Sequence, residues 1–344
     1  HYHIDCDFEA TGTLNVALEP YQAESLHEEA ALARRYGHDV IVLDQAQARA
    51  EVNSPTYLAG LWTKNGAAML NPARLAWGLK AACCSLGVRI HERTQIHSLL
   101  QEGRTLTLAS SHGRIRARRI ALATNAFSPL LRRISRYIVP VYDYVLVTEP
   151  LSETQLAAIG WRNRQGLGDS GNQFHYYRLT RDNRILWGGY DAIYHYHNGL
   201  RDELDSRPQS FIKLARHFFA TFPQLEGIQF THAWGGAIDT CSRFCVFWGT
   251  ALGGRVAYAA GYTGLGVAST RFGAAVMLDL LEGGETERTR LRFVKSKPAP
   301  FPPEPLRYAA IQLTRWSLDR ADRHEGRRNL WLRTLDRLGL GYDS

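Results

Sequence analysis

The sequence predicts a mixed α/β fold: an α/β unit interrupted by an antiparallel β domain and followed by a helical tail. Three observations carry that expectation. Segments around 70–135 and 250–284 alternate apolar strands with helices, the pattern of strands covered on both faces. Between them, residues 140–230 hold strand pairs joined by tight turns. A proline-rich run over 298–305 then precedes a basic amphipathic stretch. With 344 residues, 45% apolar and 22% charged, the chain can bury a full core, which excludes disordered and collagen-like readings.

Each element has a local cause. A strand is expected over 13–18 and a helix over 24–36, stopped by Gly37. The apolar run 40–43 reads as a strand, and Asp44 caps a helix through about Glu51. Asn71-Pro72 supplies an N-cap and a first-turn proline for a helix that runs to Leu86 and ends at Gly87. A strand is expected over 88–92. Residues 96–100 and 105–109 flank a hairpin turn, and Ser111-His112-Gly113 turns the chain into a strand over 114–124. Further strands are expected over 139–148, 174–180, 184–190, 228–239, 244–248 and 255–260. Helices are expected after the capping box of Ser152 and Gln155 and over 208–221. Residues 261–266 turn into a long apolar helix over 267–281, ended by Gly283-Gly284.

The net charge of +8 raises nucleic acid as a partner. From Thr286 onward, however, 13 Lys and Arg stand against 7 Asp and Glu, so +6 belongs to the tail and the body is nearly neutral. No nucleic-acid partner is expected. The tail, with Trp316, Trp331, Arg327 and Arg328, is expected to dock on the body. Cys6, Cys83, Cys84, Cys241 and Cys245 are odd in number and form no CxxC pair. They do not build a disulfide framework, which points to the cytoplasm. No apolar run reaches the ~18 residues of a membrane span.

Two motifs mislead. Gly166-Leu167-Gly168-Asp169-Ser170-Gly171 matches G-x-G-x-x-G, but polar residues precede it and a strand follows, so a loop is expected. His1, His3, Asp5 and Asp7 alternate like metal ligands, as do His195 and His197. Neither set converges enough donors, and no metal site is expected.

The strongest signal is Arg255-Val-Ala-Tyr-Ala-Ala-Gly261-Tyr262-Thr263-Gly264-Leu265-Gly266-Val267. An apolar strand runs into three glycines and then a long helix. Glycine lets a ligand approach the backbone closely. The helix N-terminus offers free N–H groups and a partial positive charge. On the residues alone, a ligand-binding turn and a plain strand–helix turn stand equal.

This segment resembles the C-terminal flavin motif of the D-amino-acid-oxidase-like FAD-dependent oxidoreductases, the group of glycine, sarcosine and γ-glutamylputrescine oxidases. The likeness extends in order over about residues 10–285. Residues 66–76 resemble the family's helix start before its adenine-side strand, and 87–96 resemble that strand, with Ile96 at the adenine. Ala121-Leu-Ala-Thr124-Asn125-Ala126 resembles the stretch beside the diphosphate. Tyr176-Tyr177-Arg178 and Leu186-Trp187-Gly188-Gly189 resemble the substrate-domain hairpin.

The resemblance implies a Rossmann-like FAD-binding domain over 71–138 and 228–285, a substrate domain over 10–70 and 139–227, and a proline-linked basic tail over 286–344. The family's opening βαβ unit, at least ~30 residues with the pyrophosphate-binding glycines, has no counterpart before Thr11. The first residue is His1 rather than Met. The FAD-binding domain is therefore expected to be incomplete, and the chain to represent the rear two-thirds of such an enzyme.

The implied reaction oxidises a C–N bond of an amine or amino acid. Hydride passes to flavin N5, the imine is hydrolysed, and oxygen or another acceptor takes the electrons. The implied cofactor contacts are Ile96, Thr124, Asn125, Gly261, Tyr262, Thr263, Gly264, Leu265, Gly266 and Val267. The amides of residues 264–267 would stabilise charge on the reduced ring. Arg178 would hold a substrate carboxylate through its guanidinium fork; the alternative is a hairpin arginine paired with Asp182. Tyr142 and Tyr144 would line the pocket or pack in the core. Arg243 is expected near the flavin ring. The family's cysteine tether falls nearer Gly235, so Cys241 and Cys245 are expected as buried apolar residues. The competing functional expectation is a flavin-free remnant or interaction module that keeps the scaffold.

Overall fold

A computed structural model describes residues 2–127 and 130–340. The chain begins with β1 (Thr13–Ala17), α1 (Pro20–Arg35), β2 (Val40–Leu43), α2 (Gln45–Glu51), β3 (Ala59–Thr63) and α3 (Pro72–Ser85). Then come β4 (Ile96–Glu102), β5 (Thr105–Ser110), β6 (Gly113–Ala117), β7 (Ile120–Leu122), β8 (Val139–Thr148) and α4 (Glu153–Ile159). Next are β9 (Gly166–Asp169), β10 (His175–Leu179), β11 (Ile185–Gly189), β12 (Ile193–Tyr194), α5 (Pro208–Thr221) and β13 (Phe230–Thr240). The chain closes with β14 (Phe247–Ala251), β15 (Val256–Ala260), α6 (Gly266–Glu282), α7 (Glu287–Arg290), α8 (Arg292–Lys295), α9 (Leu306–Asp322) and α10 (Leu330–Arg337).

The larger sheet runs β12-β8-β11-β10-β9-β1-β3-β2, with β13 also paired to β8. One face packs on α5: Leu14, Tyr142, Tyr144, Leu146, Tyr177 and Trp187 meet Leu214, Phe218 and Phe222. Side chains alternate along a strand, so Asp143, Val145, Tyr176, Arg178 and Gly188 look the other way. That second face is covered at the β2–β3 end by Leu26 and Ala30 of α1.

The smaller unit is a sheet in the order β14-β15-β7, with β15 parallel to β7. Val276 and Met277 of α6 pack on one face against Trp248, Ala257 and Ala259. The β4-β5-β6 sheet closes the other, where Leu106 meets Ile120, Leu122, Val256 and Tyr258.

Several expectations are corrected. Residues 88–92 form no strand; Val88 and Ile90 are exposed, and no described strand pairs with them. The strand expected over 114–124 divides into β6 and β7, which belong to different sheets. The G-x-G-x-x-G segment is no loop: Gly166–Asp169 is a strand between β1 and β10. Its glycines serve packing, since a Cβ at Gly166 would stand 2.6 Å from Met69 Sδ. α1 starts at Pro20, four residues early, because Gln22 Oε1 accepts from the Leu18 N–H at 2.8 Å and organises the turn. β14 starts at Phe247, after Phe244 has taken φ +55°. β13 pairs along β8, so residues 230–240 belong to the larger sheet rather than to the unit expected over 228–285.

The tail docks on the body. Asp322 of α9 accepts from the Asn172 N–H at 2.9 Å, the Asn172 side-chain amide at 2.6 Å and the Gln173 N–H at 3.0 Å. Glu304 accepts from the Tyr194 hydroxyl at 2.5 Å. Leu332 of α10 packs on Leu318 and Ala321, and Trp331 Nε1 donates to Thr314 Oγ1 at 2.9 Å. At the other end, Asp7 is paired with Arg74 and Arg181, each at 3.1 Å; His1 lies outside the described residues. Among the described residues no helix is long and apolar enough to cross a membrane.

Candidate active site

β7 and β15 are parallel neighbours, and their carboxyl ends lead into Thr124-Asn125 and into the Gly261 turn. In α/β sheets, ligands bind beyond those ends. The turn is built by close approach. At Gly261 φ is +78°, and a Cβ there would stand 2.8 Å from Cys241 Cβ. Thr263 and Gly264 also take positive φ, at +51° and +83°.

Asp239 organises this turn from below. It is 3% exposed, and its Oδ2 accepts from the Gly261 N–H at 2.6 Å. Its backbone carbonyl accepts from the Thr263 N–H at 3.3 Å. Burial holds its carboxyl above the usual range, against the pull of the backbone N–H groups of the turn. No motif singles out Asp239; its signal in the sequence is a lone carboxylate near the end of β13.

The start of α6 is open. Leu265 occupies the N-cap position, no side chain accepts the first N–H groups, and no acid lies in the first turn. The helix end therefore keeps its partial positive charge for a ligand. A Cβ at Gly264 would meet only Ile238 Cδ1, at 3.9 Å, and one at Gly236 would meet nothing. Leu265 and Val267 are 67% and 54% exposed beside this bare backbone. Free amides next to apolar side chains suit a planar ring with acceptor atoms on one edge.

The open face of the larger sheet lies beside this turn. Ile238 pairs with Val141, Gly236 with Asp143, and Trp234 with Val145. The Tyr176 ring lies flat over Gly188, where a Cβ would come within 2.7 Å of it. Its hydroxyl donates to Asp143 Oδ2 at 2.5 Å, and Asp143 Oδ1 accepts from the Tyr144 N–H at 2.8 Å. Arg178 lines a cavity of 440 Å³ with Asp7, Glu9, Arg74 and Arg181. It has no hydrogen-bond or ion-pair partner among the described residues, while Asp182 is paired with Arg184 at 2.6 Å. Burial pulls the Arg178 pKa down, with Glu9 and Asp7 acting in the opposite sense.

The sequence profile described as "FAD dependent oxidoreductase" (DAO) matches residues 1–280. The chain belongs to this FAD-dependent oxidoreductase family. It is 31% identical over 286 residues to gamma-glutamylputrescine oxidoreductase of Escherichia coli, covering 82% of this chain and 64% of that one. It is 26% identical over 291 residues to a probable oxidoreductase, OrdL, of Haemophilus influenzae, covering 83% and 64%. The chain thus spans somewhat less than two-thirds of the length of these curated relatives. Its fold matches glycine oxidase from Geobacillus kaustophilus with a TM-score of 0.72 at 18% identity, over 85% of this chain and 76% of that one. It also matches L-proline dehydrogenase from P. horikoshii with a TM-score of 0.69 at 16% identity, over 82% and 75%.

FAD is the family's cofactor, and the donor set at residues 264–267 fits the acceptor edge of its ring. The structure gathers Thr124, Asn125, Gly261, Thr263, Gly264, Leu265, Gly266 and Val267 at one edge of the smaller sheet. Tyr262 joins them through its backbone only; its ring packs on α6 at Gly273, where any side chain would collide with it. Ile96 stands apart, at the start of β4 opposite Ser110 in the other sheet.

Of the two readings of Tyr142, pocket wall or core, the structure takes the core, and Arg243 is bound to backbone. Tyr142 is 2% exposed in the core on the α5 side, with its hydroxyl 3.4 Å from the Arg201 carbonyl. Tyr144 lies on the same side and donates to the Leu204 carbonyl at 2.9 Å. Strand alternation turns both away from the open face. Arg243 is a staple: Nη1 donates to the carbonyls of Phe293 and Ser296 at 3.3 Å each, Nη2 to Val246, and Nε to Cys245 at 3.2 Å. Its guanidinium also stacks on Phe293 at 4.8 Å. These bonds fix the segment after α6 and leave the group no freedom to reach a substrate.

Proposed function

We propose that this chain carries the ring-binding and substrate-binding parts of an FAD-dependent oxidoreductase that oxidises the C–N bond of an amine or amino acid. The observation that carries the reading is the uncapped start of α6 beside the Asp143–Tyr176 face. When bound, FAD supplies the hydride acceptor, and oxygen or another acceptor takes the electrons onward. The amides of residues 264–267 would hold negative charge on the ring edge. Asp239 fixes the Gly261 N–H at 2.6 Å and so sets the turn that leads into those amides. The imine product is released to water and hydrolysed.

Among the described residues, Arg178 is a cation of the open face without an ion-pair partner. Along the sheet register it lies about 25 Å from Ile238, at ~3.4 Å per residue and ~4.8 Å per strand. That separation supports a role in holding an acidic group remote from the reacting carbon, in an elongated amine. The relative from Escherichia coli is named for gamma-glutamylputrescine, and an amine substrate is carried over from it as part of this proposal.

The test is titration of the purified protein with FAD, followed by anaerobic addition of carboxylated and uncarboxylated amines. Saturable binding and bleaching of the flavin band by an amine are expected. A protein that ignores FAD, or a bound flavin that no amine reduces, would refute the reading.

A further inference from the structure

We infer that Tyr176, backed by Asp143, takes the proton from the substrate ammonium before the C–N bond is oxidised. The inference rests on the amine-oxidation reading above. Simple amines are ammonium ions at neutral pH, with pKa values near ~10. Hydride leaves the neighbouring carbon only when nitrogen has a lone pair to form the C=N bond. A site that oxidises amines at neutral pH therefore gains from a base beside the nitrogen.

The geometry provides one. The Tyr176 hydroxyl points its proton at Asp143 Oδ2, 2.5 Å away, so its oxygen lone pairs face outward as acceptors. Gly188 lets the ring lie flat on the sheet with one face uncovered by β11. Asp143 sits opposite Gly236, where a Cβ would meet nothing, and one strand from Ile238 beside the Gly264 turn. Asp143 thus stands on the open face, about 8 Å from Ile238 by strand spacing.

The step balances simply. The ammonium N–H bond breaks and its proton goes to Tyr176 Oη. The Tyr176 O–H bond breaks and its proton goes to Asp143 Oδ2. Nitrogen keeps the electron pair. The products are a neutral amine, an intact tyrosine and a protonated Asp143. Tyr176 is the group that touches substrate, and Asp143 is its positioning residue and final acceptor.

The charged neighbours leave this assignment clear. β11 presents Leu186 and Gly188, and β13 presents Trp234 and Gly236, none of which titrates; His232 shares this face four residues along β13 from Gly236. His175 lies behind β10, on the other face, and Arg178 stands two residues further along it. Burial raises the Asp143 carboxyl above the usual range, with Tyr176, the backbone of Tyr144 and Gly189, and His175 acting against it. The net upward direction makes it a better base than an exposed aspartate.

Two measurements decide the matter. The first needs no cofactor: carboxyl-carbon NMR of the chain, with Asp143→Asn to assign the signal. Asp143 is expected to titrate above ~3.9, the ordinary aspartate value; titration at or below it overturns the inference. The second follows anaerobic flavin reduction by an amine against pH. Tyr176→Phe and Asp143→Asn are each expected to slow reduction at pH 7 by about 10²-fold. Both should recover to within about threefold of the wild type once pH exceeds the amine's own pKa of ~10. A loss equal at every pH would overturn the proton role and leave only a structural one. If FAD fails to bind, the functional reading falls, and the NMR titration still decides whether the pair can hold the proton.

Discussion

Replacing Asp239 by Ala removes the frame of the Gly261 turn, and the cost can be worked from its partners. The Gly261 N–H donates to this buried carboxylate at 2.6 Å. The Thr263 N–H is held by the Asp239 carbonyl at 3.3 Å, which the substitution leaves in place. One donor is therefore orphaned, at about 1–3 kcal/mol, for a central value near ~2 kcal/mol. With about 2.1 cal/mol/K of unfolding entropy per residue over 344 residues, that corresponds to a fall in Tm of about 3 °C. Asp239→Asn keeps one carbonyl oxygen as acceptor and should cost about half as much. Differential scanning calorimetry reads the stability, and FAD titration reads the site. A loosened turn should weaken FAD binding at least about tenfold, or ~1.4 kcal/mol. A Tm within about 1 °C of the wild type, with unchanged FAD affinity, would refute the idea that Asp239 holds the turn.

Other substitutions separate the roles of neighbouring residues. Gly264→Val places a branched side chain at φ +83°, so a loss of about 1–2 kcal/mol and of FAD binding is expected, read by melting and absorbance. Arg178→Ala should raise KM for acidic amines by about tenfold or more while leaving kcat and Tm unchanged, since the arginine makes no internal ion pair; steady-state kinetics checks this. Arg243→Ala should lower stability by about 1–3 kcal/mol in denaturant titration without altering the flavin spectrum, because its partners are backbone carbonyls after α6. His217 contributes a pH dependence of its own. Burial first, then His175 and Lys213, lower its pKa from 6.5 to about 4. The unfolded chain takes up a proton below pH 6.5 that the folded protein refuses, so stability should fall as pH drops from 6.5 towards about 4. His217→Gln should flatten that part of a Tm–pH curve.

Much of the fold was legible because local chemistry and tertiary packing agree. Asn71-Pro72, Asp44 and Ser152 each cap the helix expected of them, with side-chain oxygens accepting from Arg74, Gln47 and Gln155. Long strands such as β8 carry enough alternation to be read directly. The failures come where tertiary partners decide. The apolar run 88–92 has strand composition but no described partner to hydrogen-bond it. Gly166 and Gly168 look like a loop and are a strand, because small residues are needed against Met69 and Asn15.

The site divides in the same way. The Gly261–Val267 segment was legible as a strand–helix turn, because glycines there link an apolar strand to an apolar helix. Tyr142 stood open between pocket and core because a single sequence does not reveal which face of an alternating strand meets the core; its place is the core. Asp143, its neighbour, lies on the open face and was passed over for the same reason. Arg243 was judged by its distance along the chain from Gly261, whereas its bonds to Phe293 and Ser296 depend on the path of α7 and α8. Asp239 reads as an ordinary strand residue until the turn folds over it.

The most direct test of the central claim is a crystal structure of the protein with FAD. The account expects an acceptor edge of the flavin ring within hydrogen-bond distance of the amides of residues 264–267, with the ring face towards Tyr176 and Gly236. A ring bound elsewhere, or amides left to solvent with FAD present, would contradict it.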